Sequence, residues 1–109
     1  MKNISWVWVN CDRPSTARRF GEACLSDRLI ACYDVLPRSA TGYFWPPQAG
    51  RIERGRGAAL VLVTLPRVAA RVRRKVRQLH RDTLPFIGHL TIQAESAYYA
   101  WVNREISTR

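Results

Sequence analysis

The stretch AALVLVTL, residues 58–65, decides the fold. It carries no charge, and apolar residues fall on both faces of the strand it predicts. A strand that is apolar on both faces is buried on both faces. It therefore belongs inside a sheet, with cover above and below. Upstream, ISWVWVN, residues 4–10, alternates and is rich in β-formers. In that first strand Val7 and Val9 point one way, and Trp6 and Trp8 the other. With helices on one side only, a single copy would leave Trp6, Trp8 and one face of the 58–65 strand bare. Apolar patches of that kind mark interfaces. Leu60 and Leu62 are expected on the same bare face.

The rest of the chain supplies the cover. Pro14-Ser15-Thr16 opens a helix, capped by Asp12 or Ser15, with Ala17, Phe20 and Cys24 on its inner stripe. LIACYDVLP, residues 29–37, and TGYFW, residues 41–45, predict strands stopped by Pro37 and by Pro46-Pro47, or one hairpin across Tyr33 to Trp45. Residues 48–57 are polar, basic and Gly-containing, and read as a loop or a continued hairpin arm. Pro66 introduces a second helix whose stripe is Val68, Val72, Val76 and Leu79. GHLTIQ, residues 88–93, is the last strand, and a short helix starts at Ser96. The order predicts one α+β domain over 1–109: a ferredoxin-like sandwich, with an antiparallel sheet, two helices on one face and a short C-terminal helix.

Composition narrows the function. The 109 residues carry a net charge of +10 and are 47% hydrophobic. Such a charge attracts nucleic acids, anionic surfaces or acidic partners, and says little about fold. Cys11, Cys24 and Cys32 are odd in number and lack CxxC spacing, which fits a reducing compartment rather than a disulfide framework. The apolar run at the N-terminus is too short for a signal peptide or a membrane span. A cytoplasmic protein without membrane contact is expected.

Three chemical readings can be weighed on the residues. The first is RNA recognition, which places aromatics on the open face of this fold. The motif position falls on RGAALVLV, residues 56–63, where Ala58, Leu60 and Val63 occupy the stacking positions. Aliphatic side chains do not stack bases, so sequence-reading RNA binding is disfavoured. The second is polyanion binding by the basic helix: Arg71, Arg74, Lys75 and Arg77 would be the contacts. The plainer reading makes those cations the solvated side of a helix that packs through valines. Nonspecific attraction to nucleic acid would then weaken steeply with salt. The third is catalysis. No Gly-rich phosphate motif appears, no Ser or Cys has a nearby base, and an enzyme is not expected.

With the elements placed, the chain resembles the CutA divalent-cation-tolerance family over Ile4 to Ile106. The likeness is carried by VWVNCDRP, DRLIACYDVLP, TGYFW, LVLVTL, LHRDTLPFI and SAYYAWV. It implies a tight homotrimer in which open sheet faces meet and edge strands pair, a relation to PII-type signalling proteins, and contacts with a further protein partner. It also implies a role in tolerance to divalent metals, copper included. Cys32 and His80 are the positions it would assign to copper. Cys11, expected near the surface at a strand end, would be the first contact for metal or oxidant. Thiolate and imidazole suit copper and zinc. No metal is expected to be needed for folding. Against this, Cys32 also reads as a small core residue, and His80 as a cation-bearing helix end. The sequence departs from the family where two glutamates are expected beside His80, and where a Trp-Glu-Gly turn is replaced by Trp45-Pro46-Pro47.

Overall fold

A computed structural model describes residues 1–106; positions 107–109 of the expected 1–109 domain lie outside the described residues. The elements are β1 (Lys2–Cys11), α1 (Pro14–Ser26), β2 (Cys32–Phe44), β3 (Ile52–Thr64), α2 (Ala69–Leu79), β4 (Ile87–Ala94) and α3 (Ser96–Glu105). The strands form one antiparallel sheet in the order β2-β3-β1-β4. This is the expected α+β sandwich.

Residues 58–65 are all buried, and β3 lies between β2 and β1. Register decides which side chain faces which way. Val7 is opposite Leu62 and Val9 opposite Leu60, whereas Trp6 is opposite Val63 and Trp8 opposite Val61. Directly paired residues share a face. Leu60 and Leu62 therefore lie with Val7 and Val9 in the core that includes Phe20, Val72 and Val76, and none of these is exposed by more than 1%. The expectation that Leu60 and Leu62 line the bare face is corrected. Both faces of the strand are aliphatic, so only the pairing with β1 fixes the parity. Burying a side chain of this size stabilises by about 1.5–3 kcal/mol.

The two strands expected between Leu29 and Trp45 are one. Pro37 does not end β2; it sits opposite Ala58 and is tolerated because β2 is an edge strand. The register slips between Arg38 and Thr41. The hairpin is made by β2 with β3, and most of residues 48–57 form its returning limb. This arm draws the molecule out to 46 Å, against 25 and 22 Å in the other directions.

Helix α1 starts after Arg13 with no side-chain cap. Asp12 instead accepts a hydrogen bond from the Thr16 side chain, which holds its carboxyl below the ordinary value. The helix comes down on β2 through Gly21. A Cβ there would lie 2.6 Å from the Tyr33 ring, whose hydroxyl donates to Glu22 Oε2 at 2.8 Å. Helix α2 packs through Val72 and Val76 as its stripe predicts. Helix α3 lies over one end of the opposite face, where Tyr98 meets Cys32 and the Lys2 ammonium sits over the Tyr99 ring.

Candidate functional site

The bare face of the sheet is the first candidate. Its rows follow from the pairing: Leu90, Trp6, Val63 and Cys32; then Gly88, Trp8, Val61 and Asp34; then Asn10, Ala59 and Leu36. Val61 and Ala59 are buried by their neighbours, but Trp6 is 37%, Leu36 43% and Leu90 59% exposed. Trp8 is half-buried and donates its indole N–H to Asn10 Oδ1 at 2.9 Å. Helix α3 covers only the end near Ile4, Val63 and Cys32. The aromatic pair expected on this face is there; its aliphatic partners are Val61 and Val63 rather than Leu60 and Leu62.

The residues considered for metal do not meet. Cys32 lies on the row of Trp6, while His80 reaches β1 at Asn10, four residues further along. At roughly 3.3 Å per residue this separates them by about 13 Å along the strand. His80 is also spoken for. Its side chain is buried against Phe20, with ring centroids 5.4 Å apart. Nε2 lies 2.9 Å from the Asn10 carbonyl oxygen, and Nδ1 lies 3.2 Å from the Asp82 backbone N–H. That pairing fits the Nε2–H tautomer, which donates to the carbonyl and accepts from the amide. Nε2 ties the end of α2 to β1, Nδ1 is held by the loop that follows α2, and neither is left for a ligand.

Cys11 is buried, not near the surface as expected. Burial first, then the charge of Asp12, pushes its thiol from 9.0 to about 11. Cys24 is pushed up to about 11 by burial. A thiol held protonated is a poor nucleophile and a poor ligand. Cys32 alone is partly accessible, and its Sγ lies 3.5 Å from the Tyr98 hydroxyl. Burial, then the contact with Cys32, pushes that hydroxyl up to about 12. Among the described residues, no group of three or more His, Cys, Asp or Glu is placed to hold a metal ion. The residues present do not fit one intrachain site.

The cations of α2 divide. Lys75 reaches the carboxylate of Asp27 at 3.0 Å and ties α2 to the end of α1. Arg71 also has an interaction within the molecule. Arg74 and Arg77 are exposed. Arg73, not singled out by sequence, donates to His89 Nδ1 at 2.6 Å and bridges α2 to β4. Between Glu53 and Asp82 the chain has no acidic residue, a signal the sequence did offer for this face.

The second candidate that sequence reasoning missed is a groove at the root of the hairpin arm. Arg38, Arg56 and Arg81 line it together with Tyr43, Trp45 and Phe86. Arg38 and Tyr43 come from β2, Arg56 from β3, Trp45 from the turn between them, and Arg81 and Phe86 from the segment between α2 and β4.

The model of a family described as CutA1 divalent ion tolerance protein matches residues 5–105. The chain is similar to a CutA homolog of Danio rerio, with 29% identity over 104 residues, 94% of this chain and 67% of that protein. Among solved structures it is similar to the divalent ion tolerance protein CutA1 from Ehrlichia chaffeensis, with a TM-score of 0.87 at 25% identity, covering 95% of each chain. The periplasmic divalent cation tolerance protein CutA of Archaeoglobus fulgidus shares the fold, with a TM-score of 0.87 at 22% identity over 95% and 99% of the two chains. No helix among the described residues is long and apolar enough to cross a membrane.

Proposed function

Because the chain belongs to the CutA1 divalent ion tolerance protein family, we propose that it serves divalent-metal tolerance as a non-catalytic, self-associating protein. Three copies meet through the bare sheet face, and the assembly presents its helices outward to a further protein partner. The observation that carries this reading is the face itself: Trp6, Leu36 and Leu90 are exposed beside Trp8, on a sheet whose other face has Val7, Val9, Leu60 and Leu62 closed off by helices of the same chain. Water contact over such a surface is unfavourable, and a second copy presents the same apolar chemistry. Copper is the metal in view, and Cys32 is its contact, being the one cysteine of the three that is not buried. Cys11 and His80 are withdrawn into the fold. With no second ligand among the described residues of its own chain beyond the Tyr98 hydroxyl, Cys32 binds copper weakly. The three free thiols support a reducing, cytoplasmic setting.

Light scattering with copper titration of the intact protein tests both parts. The expected result is a trimer at micromolar concentration, with weak copper binding lost in Cys32→Ser and kept in Cys11→Ser. A stable monomer would refute the assembly. Tight binding that survives Cys32→Ser would refute the metal contact.

The outward face of α2 supports a second reading, nonspecific attraction to polyanions. Arg74 and Arg77 are exposed on a stretch without acidic residues. Binding of this kind is independent of base sequence and falls by orders of magnitude between low and physiological salt.

A further inference from the structure

Resting on the polyanion reading of α2, we propose that the outward face shared by α1 and α2 grips double-stranded nucleic acid by its phosphates alone. Arg19, Arg74 and Arg77 are the contacts.

Charge is concentrated in this layer. Residues 12–28 and 67–82, the two helices with their ends, hold eleven of the eighteen Lys and Arg and four of the eight Asp and Glu. They carry +7 of the net +10. The four acids are already engaged. Asp12 pairs with Arg13 at 3.2 Å and Asp27 with Lys75 at 3.0 Å. Glu22 Oε2 accepts from the Tyr33 hydroxyl at 2.8 Å, and Asp82 lies 3.9 Å from His80 Nδ1. Arg19, Arg74 and Arg77 are exposed. Among the described residues none of the three forms an ion pair with a carboxylate. Cations held together repel one another, and an anion laid across them removes that repulsion.

The packing brings the three to one face. Asp27 at the end of α1 meets Lys75 in the middle of α2. Phe20 in the middle of α1 meets the ring of His80, just past the end of α2. The helices therefore run side by side and antiparallel. Arg19 lies over the Phe20 ring at 5.2 Å, on the side of α1 that looks toward the end of α2. Arg74 and Arg77 stand about one turn apart, ~5 Å along the axis, away from the buried Val72 and Val76.

The residue types select the occupant. Every contact is an arginine, whose planar fork takes two phosphate oxygens at once. None of the large hydrophobic residues left exposed lies on α1 or α2. A single strand is held by stacking its bases on aromatic rings, and a membrane by sinking apolar side chains below its headgroups. This face offers neither. A duplex hides its bases and displays rows of phosphates, with one charge per ~1.7 Å of axis. The face also stays free in the assembly proposed above, because the copies meet through the opposite side of the sheet.

The experiment is fluorescence anisotropy of the intact protein with a short labelled duplex, between about 50 and 200 mM salt. The matching single strand is titrated alongside, and vesicles of phosphatidylserine in phosphatidylcholine compete at matched negative charge. Duplex DNA and duplex RNA are tested separately; saturation by either supports the proposal and names its source. The expected slope of log affinity against log salt is about −3, from three phosphate contacts at about 0.9 each. Arg19→Gln, Arg74→Gln and Arg77→Gln each reduce its magnitude by about 1 and weaken binding about fivefold at low salt. Each leaves the unfolding midpoint within about 2 °C. The single strand binds about fivefold more weakly than the duplex, and the vesicles do not displace it. Single strand or vesicles bound as tightly as the duplex would overturn the proposal and leave the polyanion reading standing. So would an Arg54→Gln control on the hairpin arm that lowers the slope as much as Arg74→Gln. No binding to any of the three at about 50 mM salt would overturn both.

Discussion

The two faces of the sheet use equally apolar residues to opposite ends. On the helix side, Val7, Val9, Leu60 and Leu62 are closed off with Phe20, Val72 and Val76 from the same chain. On the other side, Trp6, Trp8, Leu36 and Leu90 stand on strands of the same sheet with α3 over one end only. Hydrophobicity therefore does not separate core from interface here. What separates them is whether the chain itself provides the second layer. The helix-side residues are needed for the fold; the bare-side residues are free to serve association.

That contrast can be broken most severely from the helix side. Val72→Asp places an unpaired carboxylate in the closed core and is expected to cost more than about 4 kcal/mol. Circular dichroism should show an unfolded chain at room temperature. A folded Val72→Asp protein would mean that the helix layer is not the core. Next in size is Trp8→Lys on the bare side. It should leave secondary structure intact while light scattering shows the trimer replaced by monomers. Loss of folding in this variant would erase the distinction between the faces.

A smaller effect concerns the thiols enclosed on the helix side. Cys11 and Cys24 have folded values near 11 against an ordinary 9.0. Their raised values mean that the folded state holds protons the unfolded state releases. The stabilisation is complete below pH 9 and is lost as pH rises through 9 to 11. The unfolding midpoint should fall across that window, and Cys24→Ala should flatten the fall. In the native protein a thiol reagent should label Cys32 first; equal labelling of all three would contradict the burial. The smallest effect is expected on the outermost surface. Arg74→Gln with Arg77→Gln should move the midpoint by less than about 2 °C. A larger loss would show that the basic face carries structure.

Much of the fold was legible because period and composition agree. The stripe Val68, Val72, Val76 marks α2, and the charge-free run 58–65 marks an interior strand. The parity of that run was not legible, since Leu60 and Val61 are interchangeable until the register with β1 is known. Pro37 read as a stop because the sequence does not say which strand is an edge. The candidate sites were less legible still. His80 looked available because its two partners, the Asn10 carbonyl and the Asp82 amide, are backbone groups that carry no sequence signal. The arginines of the groove are separated by up to 43 positions in the chain, from Arg38 to Arg81, and line one groove only once β2, β3 and the α2–β4 segment are folded together.

The seat of Tyr33 on Gly21 bears on how this chain can change over generations. An alanine at 21 would favour the helix by about 1 kcal/mol on intrinsic grounds, yet its methyl would occupy the space of the ring. The substitution is closed while Tyr33 stands and opens once position 33 becomes small. The two sites must then drift as a pair, one in the middle of α1 and one at the start of β2. Among descendants of this sequence, a side chain at 21 should occur only with a reduced residue at 33, and Gly21→Ala should be rescued by Tyr33→Ala in the laboratory.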